Sequence, residues 1–185
     1  MNVGEWKERL AVEREQKDQF FALHPQSPIS VESRPSFTGL DYFPPDPGYR
    51  FELPIHEHDK KETVEVEDTA GNTRRMIRWG EFRFKIGEQE CELQGYRTDA
   101  SEEGFFIPFR DATSGKETYG AGRYLDLQAD EHLTDRGTWI VDLNRAYNPW
   151  CAYSEHYACP FVLPENWLQV PVHAGEKSYG AERRH

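Results

Sequence analysis

No stretch of this 185-residue chain stays apolar for the roughly 18 residues that a membrane-crossing helix needs, so no helical span is expected. Cysteine is scarce. Three thiols, an odd count in a chain expected to be cytosolic, imply no disulfide framework. Positive charge is also short: 22 bases, of which 7 are Lys and 15 Arg, stand against 33 acids for a net charge of −11. That balance argues against a surface built to grip nucleic-acid phosphates. The N-terminal run MNVGEWKERLAVEREQKDQ is charged throughout and lacks the apolar stretch of a secretory signal, so a cytoplasmic setting is expected. Excess carboxylate with few lysines suits an acidic protein that must stay hydrated in concentrated salt. There self-repulsion is screened over about 3 Å at 1 M, and the composition reads as halophilic.

What the chain does have is aromatic bulk, 14% of its residues, enough to fill a core in one domain spanning 1–185. Residues 3–24 read as an N-terminal helix that Pro25 and Pro28 stop. Its apolar stripe of Trp6, Leu10, Phe20, Phe21 and Leu23 is weakened by Glu13, Arg14 and Lys17, and an amphipathic clasp over the domain is expected. FPPDPG at 43–48 forbids regular structure. From 49 to 145 the pattern is β. Thr63–Asp68 and Glu81–Ile86 alternate apolar and charged residues, and Gly104–Arg110 is apolar on both faces. Turn signals at Gly71-Asn72, Gly87-Glu88, Ser114-Gly115 and Arg136-Gly137 separate the strands. The expected fold class is mainly β: an antiparallel meander closing into a barrel or folding as a sandwich, with the N-terminal helix laid across it. A Pro- and Tyr-rich ordered loop and tail occupy 146–177.

The segment Val141–Asn166 concentrates two cysteines, three tyrosines and three prolines directly after an apolar strand. Register decides what it meets. If Thr118–Leu127 and Thr138–Arg145 form a hairpin, burial favours facing Leu125 and Leu127 with Trp139, Val141 and Leu143, over a slipped register that pairs Arg123 with Asp142 but mixes polar and apolar residues on both faces. Arg123 and Arg145 then stand together at the end of the apolar face. Two guanidinium groups need an anion between them, supplied by Glu155 or Glu165 or by a small anionic ligand. The candidate binding set is Arg123, Arg145, Tyr147, Asn144, Glu165 and Asn166.

Metal is the weaker reading. Cys151, His156 and Cys159 form C-x4-H-x2-C, and Cys91 would have to join them for a Cys3His zinc site; packing cysteines are the plainer expectation, and a Cys151–Cys159 disulfide, the other pairing open to them, is disfavoured in a reducing cytosol. Nucleophilic catalysis by Cys151 or Cys159 with His156 has no recognisable nucleophile turn behind it. His56 and His58 would share a face in an extended strand, but a solvated edge explains them. Gly120–Gly122 lacks the lysine and helix of a phosphate loop, so a bulge or close strand contact is expected. No cofactor is implied.

FTGLDYFPPDPGYRFELP (37–54), FFIPFRDATSGKETYGAGRYLDL (105–127) and VDLNRAYNPWCAYSEHYACPFVLPENWLQVPVHAGEK (141–177) together resemble the domain of unknown function 1684 family of bacteria and archaea. The similarity runs from about Trp6 to Lys177. It implies kinship and one intact domain in a prokaryotic cytosol, and it carries no chemistry. Three functions therefore stand as alternatives: a binding module for a small anion, an enzyme using Asp142, Glu165, His156 or a cysteine at the same end, or a structural or interaction module.

Overall fold

Helix α1 spans Val3–Leu23 in the computed structural model, which describes residues 2–180. Asn2 caps it: its side-chain oxygen accepts from the backbone N–H groups of Gly4 and Glu5, satisfying donors that a helix start leaves free. The helix ends at His24, before Pro25. Trp6, Leu10 and Phe21 are its buried residues, and burying each stabilises the docked helix by roughly 1.5–3 kcal/mol.

The strands are β1 (Arg50–Leu53), β2 (His56–Glu67), β3 (Thr73–Ile86), β4 (Gln89–Arg97), β5 (Phe105–Phe109), β6 (Arg123–Leu127) and β7 (Trp139–Asp142), with a one-turn helix α2 at Ala129–His132. They form two antiparallel sheets. One has five strands in the order β2-β3-β4-β5-β6; the other pairs β1 with β7. The small sheet packs on the large one, with Phe51 against Phe84 at 4.7 Å and Phe105 edge-on to Trp139 at 4.9 Å between ring centres. The architecture is sandwich-like. Among the described residues no strand closes it into a barrel, so of the two architectures expected only the sandwich applies.

The meander is as read from β2 to β6, and glycines of positive φ stand at Gly71, Gly87, Gly115 and Gly137 as the turn signals require. The expected hairpin between the last two strands does not form. β6 pairs with β5, with Leu125 opposite Ile107, while β7 crosses to β1, with Val141 opposite Phe51. Leu125, Leu127, Trp139, Val141 and Leu143 still share one core cluster. The hydrophobic pattern put the right residues in the core and the wrong strands side by side. The outer edge of β6 is met instead by Tyr147, whose backbone exchanges hydrogen bonds of 2.8 and 3.0 Å with Tyr124.

The tail is built into the structure. Leu168 N–H donates to Arg110 at 2.8 Å, and Val172 and Ala174 are fully buried in the core. Gly122, at φ +105°, brings the backbone so near β5 that a Cβ there would lie 2.6 Å from the Phe109 carbonyl; the Gly120–Gly122 run is a close strand contact.

Candidate functional site

The six candidate residues go to three places. Arg123 is fully buried at the start of β6. Its guanidinium pairs with Asp111 at 2.9 Å and donates to the carbonyls of Val172, Ala174 and Glu176, pinning the tail. Arg145 lies elsewhere, in the turn Leu143–Arg145 that follows β7, and makes a two-point ion pair with Glu13 of α1 at 2.7 and 2.9 Å. The expected pair of adjacent arginines does not exist, because the hairpin that would have joined them does not. Each arginine has its own carboxylate.

Glu165 and Asn166 work between strands. Glu165 accepts from the Tyr96 hydroxyl and lies 3.3 Å from Arg78. Asn166 is fully buried between β4 and β5, bonded to Gln94 and Pro108.

Asn144, Arg145 and Tyr147 do converge, on a cavity of about 240 Å³ beneath α1. The helix supplies its other wall: Leu10, Glu13, Arg14 and Lys17, with Tyr42 and Glu176 completing the lining. The spacing explains the geometry. Trp6, Leu10, Arg14, Lys17 and Phe21 recur every three or four residues, so the two cations lie on the stripe that faces the protein. Their interruption of the apolar stripe marks the pocket. Sequence reasoning missed Arg14, Lys17, Tyr42 and Glu176; this interruption was a signal for the first two, and Tyr42 and Glu176, which lie outside the helix, carried none.

The cations differ. Lys17 pairs with Glu176, a buried carboxylate that also accepts from Tyr153 at 2.6 Å and the Asn148 N–H at 2.8 Å. Arg145 is held by Glu13, and that hydrogen bond raises its pKa above the usual arginine value. Arg14 has no carboxylate within ion-pair distance among the described residues. It donates to the carbonyls of Phe43 at 3.0 Å and Asn144 at 3.3 Å and stacks on the Tyr42 ring at 4.3 Å. Its Nε and the Tyr42 hydroxyl are both buried with no hydrogen-bond partner in the protein. Burial lowers the Arg14 pKa and pushes the Tyr42 hydroxyl far up, so the pocket offers a charged guanidinium beside a neutral phenol. Three cations and two carboxylates line it, a formal +1 in a chain of net −11.

Behind the pocket, Asp142 anchors the helix. It accepts from the Trp6 indole at 2.7 Å and from the Asn144 N–H and amide at 3.1 and 2.9 Å. A second cavity of about 360 Å³ adjoins the first across Glu13, Arg145 and Tyr147.

The zinc set is not assembled. Cys91 lies in the core, paired with Phe84 on β3, whereas Cys159 sits by Thr69 near the opposite end of that strand. Arg74, which reaches the Ala158 carbonyl, and Phe84 are ten residues apart, roughly 33 Å along a strand. His156 is exposed, and its N–H bonds to Ser154. Among the described residues no group of three or more His, Cys, Asp or Glu side chains is arranged to hold a metal. His56 is exposed on the edge strand β2, and His58 contacts Gln94 at 2.6 Å. No described helix is long and apolar enough to cross a membrane.

Comparison with known proteins adds kinship. No curated protein matches the chain. A solution NMR structure of an uncharacterised protein of Haloarcula marismortui is similar over all of this chain and 98% of its own, at 37% identity and a TM-score of 0.73. The family described as "Protein of unknown function (DUF1684)" matches residues 35–177, which hold both sheets and the Tyr42, Asn144–Tyr147 and Glu176 walls of the pocket, and the chain belongs to that family.

Proposed function

We propose that this protein binds a small organic or inorganic anion in the pocket between α1 and the Asn144–Tyr147 segment. The observation that carries the reading is Arg14: a half-buried guanidinium with no carboxylate partner, lining the pocket beside Tyr42, with its Nε and the Tyr42 hydroxyl both lacking a hydrogen-bond partner in the protein. Buried polar groups are almost always satisfied, so two in one cavity call for a partner with acceptor oxygens. A carboxylate or phosphate oxygen supplies what Nε lacks. The volume, below the roughly 300–1,000 Å³ usual for drug-sized ligands, suits a molecule of a few heavy atoms. The net charge of −11 speaks against nucleic acid or an anionic membrane as the partner.

A thermal-shift panel of acetate, malonate, phosphate and sulfate at fixed ionic strength tests this. At a hundred times its Kd, one anion should stabilise the wild type by about 2.7 kcal/mol, which is roughly 5–11 °C for a chain this long. Arg14→Met should weaken that binding about 10- to 150-fold, the loss of a charged hydrogen bond worth about 1.5–3 kcal/mol. Lys7→Met, on the exposed face of the helix and away from both cavities, should leave the 240 Å³ pocket's affinity within about twofold. A flat panel, or a shift that survives Arg14→Met, refutes the proposal.

The acidic, lysine-poor composition supports a cytoplasm of high salt as the working environment, as does kinship with a protein of a halophilic archaeon. On that reading the melting temperature rises steadily between low and molar KCl; a fall above physiological salt contradicts it.

A further inference from the structure

We propose that Cys159 and Cys151 form a peroxide-reactive dithiol, in which Cys159 is the attacking thiolate and Cys151 resolves it to a disulfide. The pocket does not use these residues, and the inference does not depend on it.

The geometry brings the two together across a short loop. The N–H of Cys151 donates to the Cys159 sulfur at 3.4 Å. A sulfur that touches a residue's own backbone N–H is within reach of that residue's short side chain. Cys151 lies in the turn Trp150–Ala152, and the loop closes on itself through an edge-on contact of Trp150 and Tyr157 at 5.0 Å. The far side is fastened to the β2–β3 turn. Cys159 N–H donates to Thr69 Oγ1 at 3.1 Å, Thr69 N–H returns a bond to the Cys159 carbonyl at 3.1 Å, and Phe161 N–H reaches Glu67 at 2.9 Å. Both sulfurs are free thiols, Cys159 buried and Cys151 half-buried.

The surroundings separate their roles. The neighbouring Cys151 thiol, the Cys151 backbone N–H and the positive charge of Arg74 lower the Cys159 pKa against the opposing effect of burial. Cys151 is the raised member, chiefly through that same thiol contact and then burial, with the Tyr119 hydroxyl 3.8 Å from its sulfur. A lowered thiolate beside a protonated thiol is the arrangement that attacking and resolving cysteines need.

The chemistry balances with hydrogen peroxide as oxidant. The Cys159 thiolate attacks one peroxide oxygen and the O–O bond breaks. Cys159 becomes a sulfenic acid, and the departing hydroxide takes a proton to become water. The Cys151 sulfur then displaces the sulfenic hydroxyl, losing its own proton, and a second water leaves as the S–S bond forms. Two thiols lose two electrons and one peroxide becomes two waters.

Tryptic digestion reads the outcome directly. No Lys or Arg lies between Arg145 and Lys177, so both cysteines fall in one peptide, 146–177, while Cys91 falls in 86–97. Native full-length protein is treated with substoichiometric hydrogen peroxide, quenched by alkylation and analysed by mass spectrometry. The 146–177 peptide should appear unalkylated and lighter by two hydrogens, with Cys91 alkylated and unoxidised. Cys151→Ser should leave a Cys159 sulfenic acid that a 1,3-diketone probe labels. Cys159→Ser should slow oxidation of the remaining loop thiol at least about tenfold. The wild-type experiment stands even if a variant fails to fold. Oxidation of Cys91 at an equal rate, separate acids on Cys151 and Cys159 without a crosslink, or labelling of Cys151 ahead of Cys159 would overturn the assignment.

Discussion

Replacing Asn166 with alanine tests how the middle of the five-stranded sheet is held. β4 and β5 pair directly at a single position, Tyr96 opposite Phe106. β5 carries Pro108, which has no N–H to give the ladder. The Asn166 side chain fills the gap like one residue of an extra strand. Its Oδ1 accepts from Gln94 N–H at 2.7 Å, and its amide donates to the Gln94 carbonyl at 3.0 Å and the Pro108 carbonyl at 2.8 Å. Asn166 is fully buried, so alanine leaves three backbone groups without partners in a dry place. Each orphaned group costs about 1–3 kcal/mol, and allowing for relaxation the total should be about 3–5 kcal/mol. For a chain of this length that lowers the melting temperature by roughly 6–20 °C. Urea denaturation at constant salt gives the free energy, and hydrogen exchange at the Gln94 amide gives the location. Asn166→Asp should be at least as damaging at neutral pH, because a carboxylate would then face two carbonyls. It should recover in part in acid, where a protonated carboxyl can donate once. A loss below about 1 kcal/mol with the Gln94 amide still protected would refute the strand-bridging role.

Two further substitutions separate scaffold from pocket and fix a pH window. Arg123→Met should cost about 3–5 kcal/mol by stranding the buried carboxylate of Asp111, and any anion-induced thermal shift should survive in the folded fraction; urea titration with and without anion measures both, and a loss under about 1 kcal/mol defeats the tail-pinning role. Asp68 sits at the β2–β3 turn. Burial raises its pKa, but N–H groups of Asn72 and Ala70 and the side chains of Asn72 and Arg74 outweigh this and bring it below the ordinary value of 3.8. An acid with a depressed folded pKa stabilises fully above the unfolded value and loses that contribution as pH falls through the folded one. Asp68→Asn should therefore melt below wild type at pH 6, and the gap should narrow below about pH 3.8; melts across that range would count against the assignment if the gap stayed constant.

What the sequence made legible follows from which forces are local. The alternation of Phe82, Phe84 and Ile86 with charged neighbours is a local consequence of one wet face, and those strands stand where the pattern put them. The glycines at the turns are local too. Strand partnership is not. β6 and β7 are equally apolar on their core faces, so burial satisfies a β6–β7 hairpin as well as the β5–β6 and β1–β7 pairs that form. What distinguishes them is the α2 turn between the strands and the four residues of β1, which carry little signal of their own. Arg123 and Arg145 would be neighbours only if β6 paired with β7, so their separation follows from that one difference in pairing.

The pocket, too, depends on what is not local. By sequence alone, Arg14 and Lys17 only weaken the stripe of Trp6, Leu10 and Phe21. A cation on a core-facing stripe, though, must find either a carboxylate or a cavity. Lys17 finds Glu176. Arg14 finds two carbonyls, an aromatic ring and open space beside Tyr42. Had the helix needed only to dock, leucine at position 14 would bury more apolar area at less cost in desolvation. Under the proposed function, an arginine there serves the anion that the pocket would receive. Arg14→Leu turns this into a measurement: if docking were the whole purpose, it should leave unfolding stability equal or higher and anion affinity unchanged; under the proposal it keeps the fold and loses the anion.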